Sequence, residues 1–350
     1  MAKKKVAING FGRIGRLFFR AAVVDEVFNK NFEIVALNDI TDAKTLAHLL
    51  KYDSVHGRLD ANISASETTL CFKGKEIAVY SQKDLLKLPW SSLDVDYVIE
   101  STGRYSDRNS ASQHLVAGAK KVIISAPSKT ADAVLIPGVN LEKYNSAKHD
   151  VISMASCTTN SIAPLLKVLC DEFGIKNGFL STVHAYTNDQ RLQDLPHSDL
   201  RRSRAAPLSI IPTSTGAASA IGQVIPELQG KMDGIAMRVP VACGSISDLS
   251  LILSRETTRE EVNRVVKKAC DGKLKSILKY TEEEIVSADV IDDDCTGIFD
   301  SGLTSVLNGK GDFLKVYSWY DNEWGYSAKL VDLLKYIYLT KQNTAAIGRG

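Results

Sequence analysis

Residues 5–15 read KVAINGFGRIG, an apolar run that ends in three glycines spaced Gly-x-Gly-x-x-Gly. Apolar residues at helical spacing follow in residues 17–22, so the segment predicts a strand, a tight turn and a helix. In such a segment Gly10 permits the turn, Gly12 lets the backbone approach a pyrophosphate, and Gly15 lets the helix pack against the strand. The positive end of the helix dipole then faces the phosphates, so the stretch predicts a dinucleotide site.

The acidic residue that follows the glycines supports this interpretation. A second apolar run, residues 33–37, leads to Asp39, which lies 24 residues beyond Gly15. A carboxylate at this place accepts hydrogen bonds from the adenosine ribose and repels the additional phosphate of NADP, so NAD is the predicted cofactor. Position alone leaves open that Asp39 is simply a solvent-exposed acid at the end of a strand.

The rest of the N-terminal half alternates strand-like and helix-like stretches. Further apolar runs at residues 95–99 and 121–125 predict parallel strands, and Thr102 and Ser125 stand near their carboxyl ends. Such alternation is typical of a doubly wound α/β domain, in which ligands bind outside the carboxyl ends of the strands. Residues 57–80 look instead like a short antiparallel insertion.

The character of the chain changes after residue 156. Residues 245–254 alternate polar and apolar side chains, as a half-exposed antiparallel strand does, and residues 258–271 carry a helical apolar stripe behind a capping threonine. These patterns predict a second domain of α+β type with a mostly antiparallel sheet. We therefore expect a dinucleotide-binding domain at 1–156, completed by a C-terminal helix at 322–340, a catalytic domain at 157–321, and a polar tail at 341–350.

Composition excludes several classes of protein. The 350 residues include 43 Lys+Arg and 41 Asp+Glu, and a net charge of +2 does not indicate nucleic-acid or acidic-membrane binding. We see neither a signal peptide nor a transmembrane run, so we expect a cytoplasmic protein. The six cysteines form no CxxC pair, so we predict neither a disulfide framework nor a bound metal.

One cysteine stands out by its surroundings. Cys157 lies in the sequence ASCTTN, between an apolar strand and the helical run of residues 162–173. A thiol at a helix N-terminus faces backbone N–H groups and the helix dipole, both of which favour the thiolate. Cys157 is therefore the candidate nucleophile. Among the histidines, His184 lies in a strand-like run with polar residues at its end, where a histidine is more often structural than catalytic.

At these residues the chain resembles the glyceraldehyde-3-phosphate dehydrogenase family, over nearly its whole length. The resemblance is carried by six motifs in the family's order: NGFGRIGR at 9–16, ASCTTN at 155–160, HAYTNDQ at 184–190, DLRRSRAA at 199–206, PTSTGAA at 212–218 and WYDNEWGYS at 319–327. It implies that Cys157 attacks an aldehyde, that hydride passes to NAD, and that inorganic phosphate cleaves the resulting thioester. It further implies that His184 activates Cys157, holding the thiolate as an imidazolium and donating to the tetrahedral oxygen.

The resemblance also assigns binding residues and an assembly. Two sets of residues match those that bind phosphates: Thr187 and Arg238 for the substrate's phosphate, and Ser156, Thr158, Thr215 and Gly216 for the attacking one, with Arg202 serving the same site. The residues that match the family's cofactor contacts are Gly10, Gly12, Arg13, Ile14, Gly15, Asp39, Lys83, Thr102, Ser125 and Asn322. Many relatives have Arg where this chain has Lys83. The family further implies a glycolytic enzyme that forms a homotetramer.

Two alternatives remain at this stage. Erythrose-4-phosphate dehydrogenase shares the cysteine and the histidine but hydrolyses its thioester, and the intact DLRRSRAA and PTSTGAA motifs favour the phosphorylating enzyme over it. A nucleotide- or RNA-binding module without catalysis is the alternative from another class. The near-neutral charge and the presence of both Cys157 and His184 argue against it.

Overall fold

The structure is a computed structural model that describes residues 2–347, with the side chains of residues 2–340. These residues divide into two compact units. The first unit takes the chain up to Leu135, Leu141–Ala155, and the residues from Leu330 onward. The second unit takes Ile136–Asn140 and Ser156–Lys329.

The first unit is built on a mostly parallel sheet. Its strands are β1 (Lys4–Asn9), β2 (Phe32–Asn38), β3 (Tyr52–Asp53), β4 (Gly57–Arg58), β5 (Ile63–Ala65), β6 (Thr69–Phe72), β7 (Lys75–Tyr80), β8 (Tyr97–Glu100), β9 (Lys121–Ile124), β10 (Ala133–Val134) and β11 (Val151–Ser153). The main sheet has the order β10-β11-β9-β8-β1-β2-β7-β6-β5, and β3 pairs with β4. The strands from β10 to β7 run parallel, whereas β5, β6 and β7 pair antiparallel. Both the doubly wound sheet and the antiparallel insertion that the sequence predicts are thereby confirmed.

The helices of the first unit follow the strands as the alternation predicts. They are α1 (Arg13–Val24), α2 (Glu26–Asn31), α3 (Ala43–Lys51), α4 (Trp90–Leu93), α5 (Arg108–Ala111) and α6 (Gln113–Val116). Apolar residues of α1, among them Leu17 and Phe18, are fully buried. Burial of such an apolar face is the main source of helix stability in a protein of this kind.

The glycine turn connects β1 to α1 by close backbone packing. Gly10 has φ +88°, a conformation that favours glycine, and its N–H donates to the Asn38 carbonyl at 2.8 Å. A Cβ on Gly15 would lie 2.2 Å from the Gly10 carbonyl oxygen, so only glycine lets α1 approach the turn this closely. A Cβ on Gly12, by contrast, would meet no atom within 4 Å.

The second unit is an α+β fold. Its strands are β12 (Ile175–Ala185), β13 (Ile211–Ser214), β14 (Met232–Val239), β15 (Ser245–Thr258), β16 (Leu278–Thr281), β17 (Gly297–Asp300), β18 (Ser305–Val306) and β19 (Lys310–Tyr320). Its helices are α7 (Cys157–Phe173), α8 (Ala217–Val224) and α9 (Arg259–Asp271). The sheet has the order β13-β14-β12-β15-β19-β17-β16, with β18 beside β19, and most pairs are antiparallel. The predicted fold class is therefore confirmed.

Helices cover one face of this second sheet, and several large apolar side chains on the opposite face are exposed. Along β15 buried and half-buried residues alternate, as the sequence pattern predicts. Helices α7, α8 and α9 pack on the buried side, where Leu180, Leu249 and Leu251 are fully buried. Helix α9 begins behind Thr258, whose side chain accepts from the Glu261 N–H at 3.3 Å as a capping residue does.

The last helix, α10 (Trp324–Ile347), begins two residues after the predicted start and continues past residue 340 into the segment predicted to be a polar tail. Residues 348–350 of that segment lie outside the described residues. Within the first unit, Lys335 of α10 pairs with Asp25 at 2.5 Å, and Tyr338 packs its ring edge-on against Phe32. Between residues 2 and 347, none of the helices is long and apolar enough to cross a membrane.

The packing of the glycine turn yields a stability prediction. We expect Gly15→Ala to lower the free energy of unfolding by about 1–3 kcal/mol, because the new methyl group overlaps the Gly10 carbonyl. Gly12→Ala is the matched control, since open space surrounds the position that its methyl group would take, and we expect a change below about 0.5 kcal/mol. Thermal denaturation without nucleotide measures both, and equal losses in the two variants would contradict this account of the turn.

Candidate active site

Cys157 is the first residue of helix α7. The helix begins there because Ser156 has an extended backbone, with φ −96° and ψ 164°, and its hydroxyl accepts from the Thr159 N–H at 3.1 Å. The N–H groups of the first helical turn have no partners within the helix, and they carry the positive end of its dipole. The helix end therefore favours a negative charge on the sulfur of the half-buried Cys157, in opposition to the effect of burial.

His184 lies beside this thiol. It is the penultimate residue of β12, it is buried, and its Nε2 is 3.5 Å from the Cys157 Sγ. This distance is within hydrogen-bond range for sulfur. The candidate nucleophile and the histidine that the resemblance pairs with it are thus brought together by the second unit alone.

Strand register places a cation on the other side of the imidazole. In the parallel pair of β12 and β14, His184 stands opposite Arg238. The Arg238 Nη1 lies 2.6 Å from the His184 Nδ1 and donates to the Ala185 carbonyl at 3.0 Å. Because a guanidinium is only a donor, it presents a fixed positive charge to both members of the Cys157–His184 pair.

These surroundings shift the pKa values of the pair. Burial raises the pKa of the Cys157 thiol, and the charge of Arg238 partly offsets this increase. Burial and then the charge of Arg238 lower the pKa of His184 to about 3, so the imidazole is neutral above about pH 3 in the ligand-free site. The His184 Nδ1 also lies 2.7 Å from the Ala185 carbonyl oxygen, and a ring proton held on that nitrogen leaves Nε2 as the atom that can accept the thiol proton.

Tyr320 was not predicted from the sequence as part of the site. It is the last residue of β19, it is buried, and its hydroxyl lies 2.9 Å from the hydroxyls of both Thr158 and Thr182. Its ring packs edge-on against the His184 ring with centroids 5.9 Å apart. Tyr320 thereby joins the first turn of α7 to the strand that carries His184. It belongs to the motif WYDNEWGYS, but nothing in that motif indicates this contact.

Asn322 lies in the same unit as His184. Its side-chain oxygen accepts from the Ser245 hydroxyl at 2.8 Å, and that hydroxyl in turn accepts from the Ala185 N–H at 3.1 Å. Ser245 begins β15, the strand between β12 and β19. The amide of Asn322 is thus tied to the backbone next to His184, and Ser245 is a second contributing residue that sequence reasoning missed.

The residues assigned to phosphate binding occupy different surroundings. Thr187 lies two residues past the end of β12, and its N–H donates to the Gln190 side chain at 3.3 Å. Gly216 caps helix α8, and the Thr215 hydroxyl accepts from the Ala217 N–H at 3.2 Å. The hydroxyls of Ser156 and Thr158 are held by the capping bond and by Tyr320, respectively.

Arg202 has a set of protein partners. Its guanidinium donates to the Thr213 hydroxyl at 2.7 Å and to the Ser214 carbonyl at 3.4 Å, and it forms an ion pair with Asp189. These contacts fasten the loop between β12 and β13 to β13. In this conformation the side chain holds the loop, and binding an anion would require it to exchange some of these partners.

The first unit contains a cavity at the carboxyl ends of its strands. Its volume is about 280 Å³, near the lower end of the range of small-molecule sites. Several residues expected to bind the cofactor line it: Gly10, Gly12, Asp39, Lys83 and Thr102, together with Asn9, Asn38, Gln82, Ser101, Arg104 and Tyr105. Gly10 and Gly12 keep its floor free of side chains, so the residues present fit one half of a dinucleotide.

Asp39 and Arg13 have defined positions around this unit's glycine turn. The Asp39 carboxylate accepts from the Phe11 N–H at 2.7 Å and from the Thr41 N–H at 3.1 Å. Arg13 pairs with Asp53 at 2.8 Å. Five of the expected cofactor residues do not line the cavity: Arg13, Ile14, Gly15, Ser125 and Asn322. Ser125 donates to the Glu100 carbonyl at 3.1 Å.

Comparison with known proteins identifies relatives along almost the entire chain. Two sequence models of protein families match, one described as "Glyceraldehyde 3-phosphate dehydrogenase, NAD binding domain" at residues 4–108, and the other as "Glyceraldehyde 3-phosphate dehydrogenase, C-terminal domain" at residues 156–322. A glyceraldehyde-3-phosphate dehydrogenase of Geobacillus stearothermophilus is 56% identical over 333 residues, which cover 95% of this chain and 98% of the relative. Proteins of that name from Streptomyces coelicolor, and of the name glyceraldehyde-3-phosphate dehydrogenase 1 from Bacillus subtilis, are each 54% identical with the same coverage.

The contact between Cys157 and His184 predicts how fast the thiol reacts. Since burial raises the thiol's pKa, we expect His184→Asn to slow alkylation of Cys157 by iodoacetamide at neutral pH by about tenfold to a hundredfold. Mass spectrometry of the Cys157 peptide measures the rate. The control is His149→Asn, because His149 lies in the first unit against Tyr144. Identical rates in the two variants would show that His184 does not act on the thiol.

Proposed function

The chain belongs to the glyceraldehyde-3-phosphate dehydrogenase family and is an NAD-dependent oxidoreductase, and we propose that it oxidises D-glyceraldehyde 3-phosphate with inorganic phosphate to 1,3-bisphosphoglycerate. The observation that carries this proposal is the 3.5 Å contact between the Cys157 Sγ and the His184 Nε2 at the start of α7. An aldehyde dehydrogenase of this chemistry needs a thiolate nucleophile with a base within reach, and this contact supplies both. We place the enzyme in glycolysis and in the cytoplasm.

Cys157 and His184 divide the first half of the reaction between them. His184 takes the thiol proton, and the sulfur attacks the aldehyde carbon, forming a C–S bond and an oxyanion. The same imidazole, now protonated, returns its proton to this oxygen, while N–H groups of the first turn of α7 stabilise the developing charge. The product of this half is a hemithioacetal on Cys157.

Oxidation and release complete the cycle. Bound NAD would supply the acceptor for a hydride from the hemithioacetal carbon. His184 then removes the hydroxyl proton as the hydride departs, which leaves a thioester on Cys157. An oxygen of inorganic phosphate next attacks the thioester carbon, the C–S bond breaks, and the sulfur leaves as a thiolate. The product is an acyl phosphate, and the protonated His184 returns its proton to the sulfur, which regenerates the Cys157 thiol.

Two anions have to be held during this sequence, and we assign each a set of donors. Arg238 and Thr187 bind the phosphate of the substrate, since Arg238 already stands beside His184. The attacking phosphate is bound by Ser156, Thr158, Thr215 and Gly216, with help from Arg202. Because the Thr158 hydroxyl is hydrogen-bonded to Tyr320, we assign the backbone N–H of Thr158, at the first turn of α7, as its donor to the attacking phosphate.

We assign the cofactor to the cavity of the first unit. Asp39 accepts from the ribose hydroxyls of adenosine, the turn from Gly10 to Gly15 together with Arg13 and Ile14 faces the pyrophosphate, and Lys83 and Thr102 line the adenosine side. Ser125 and Asn322 serve the nicotinamide half. The Asn322 amide suits this role because Ser245 fixes its orientation.

We further propose that the enzyme is a homotetramer. Large apolar side chains on the face of the second sheet opposite helices α7, α8 and α9 support this, since Phe179, Val183, Ile252 and Phe313 are each at least 36% exposed. Exposed large apolar side chains on a sheet face are typical of a subunit interface. A second copy of the chain would cover it.

Oligomerisation can be tested by placing a charge on that face. We expect Phe179→Glu to shift the protein from a tetramer to smaller species in sedimentation equilibrium, because burying an unpaired carboxylate costs several kcal/mol. Val116→Glu provides the control, as Val116 is 76% exposed on α6 of the other unit. An unchanged tetramer in Phe179→Glu would exclude this face as an interface, and a wild-type monomer would exclude the assembly altogether.

Turnover itself tests the proposed reaction. We expect Cys157→Ser to lower phosphate-dependent NADH formation from glyceraldehyde 3-phosphate by at least about a thousandfold while NAD still binds, since a serine hydroxyl has a far higher pKa than a thiol. Cys170→Ser, near the other end of α7, is the control and should retain activity. Full activity in Cys157→Ser would refute the mechanism. Phosphate-independent oxidation that prefers erythrose 4-phosphate would point to the alternative dehydrogenase.

A further inference from the structure

A chain of buried polar side chains lies behind the cavity of the first unit. It consists of Trp90 of α4, His114 of α6 and Glu100 at the end of β8, which are 0%, 0% and 1% exposed. The Trp90 indole N–H donates to the His114 Nδ1 at 2.9 Å, and the His114 Nε2 is 3.1 Å from a Glu100 carboxylate oxygen. None of the reaction steps described above uses these three residues.

The direction of each hydrogen bond in this chain is fixed by chemistry. An indole N–H can only donate, so the His114 Nδ1 has to be an acceptor. The proton of the neutral ring is then on Nε2, where it donates to Glu100. Trp90 thereby holds His114 in the one tautomer that gives Glu100 a donor.

The Glu100 carboxylate faces donors from other directions as well. The Asn9 side-chain amide donates to one oxygen at 2.5 Å, and the Thr102 N–H and hydroxyl donate to the other at 2.8 and 2.5 Å. With His114 included, four donors converge on the two oxygens, so both oxygens act as acceptors. A buried carboxyl group is tolerated here because its hydrogen bonds are made.

Two of these donors line the cavity. Asn9 and Thr102 both form part of its wall, and the Asn9 side-chain oxygen accepts from the Asn38 amide at 2.7 Å. The Asn38 oxygen in turn accepts from the Gln82 N–H at 2.8 Å, and both of these residues also line the cavity. Glu100 therefore connects the ends of β1, β2 and β8 and the segment after β7 in one network.

We propose that Glu100 is a positioning residue for NAD, held by His114 and Trp90, and that it sets cofactor affinity by fixing the walls of this cavity. The proposal rests on the proposed function in taking NAD as the ligand of the cavity. The network lies in the first unit, whereas Cys157 and His184 belong to the second. A change in Glu100 therefore alters the KM for NAD and leaves the chemistry at Cys157 in place.

Two variants remove different parts of the network. Glu100→Gln replaces two accepting oxygens by one oxygen and one amide donor. The new amide then faces a donor of Asn9 or Thr102 in the cavity wall, and that hydrogen bond is lost. We expect a rise of about tenfold to a hundredfold in the KM for NAD, with kcat within about twofold. His114→Phe removes both ring nitrogens and should also raise the KM for NAD, by about tenfold.

A conservative variant and a control separate positioning from general loss of stability. His114→Gln keeps one acceptor for Trp90 and one donor for Glu100, so we expect a KM for NAD within about threefold of the wild type. Val122→Ala removes fully buried volume from β9, beside β8, without touching the network. It should lower the melting temperature and leave the KM for NAD unchanged. Calorimetric titration of NAD into each variant provides a readout independent of turnover.

The outcomes distinguish this inference from the proposed function. An unaltered KM and Kd for NAD in folded Glu100→Gln would overturn the role of Glu100. Equal losses of NAD affinity in His114→Gln and His114→Phe, or a rise of the same size in Val122→Ala, would show that packing rather than hydrogen bonding is responsible. Wild-type protein that binds NAD but does not oxidise glyceraldehyde 3-phosphate would instead refute the proposed function.

Discussion

The active site depends on the order of four neighbouring strands in the second sheet. The order β14-β12-β15-β19 brings Arg238, His184, Ser245 and Tyr320 side by side at one end of the sheet. Tyr320 then binds the first turn of α7 through Thr158, which fixes where the helix N-terminus stands relative to His184. A slip of one residue in any of these pairings would turn the functional side chains to the opposite face. The position of Cys157 beside its base is therefore a consequence of sheet register.

In the ligand-free site, burial disfavours the charged forms of both Cys157 and His184. Burial raises the pKa of Cys157 and lowers that of His184 to about 3, and the guanidinium of Arg238 further disfavours a protonated imidazole. A neutral thiol next to a neutral imidazole is stable under these conditions, and proton transfer between them creates no net charge. In the proposed reaction the substrate phosphate neutralises Arg238, which removes one of the causes that hold the pKa of His184 low.

Local patterns allowed much of this to be predicted from the sequence. The glycine spacing at residues 10–15 and the polar residues around Cys157 are contiguous, so their turn and helix N-terminus follow from short-range rules. Tyr320 and Glu100 could not be found in this way, because their roles depend on distant partners. Tyr320 contacts Thr182 across 138 residues, and Glu100 contacts Asn9 across 91. Burial also shifts the pKa values of Cys157 and His184, which the motifs alone do not reveal.

The covalent intermediate on Cys157 is the most direct test of the whole account. Enzyme mixed with glyceraldehyde 3-phosphate and NAD in the absence of inorganic phosphate, then quenched in acid and digested, should carry the acyl group of the substrate on the peptide containing Cys157. Addition of inorganic phosphate before the quench should remove that group. An acyl group on another residue, or NADH formed with no acylated peptide under these conditions, would contradict covalent catalysis by Cys157.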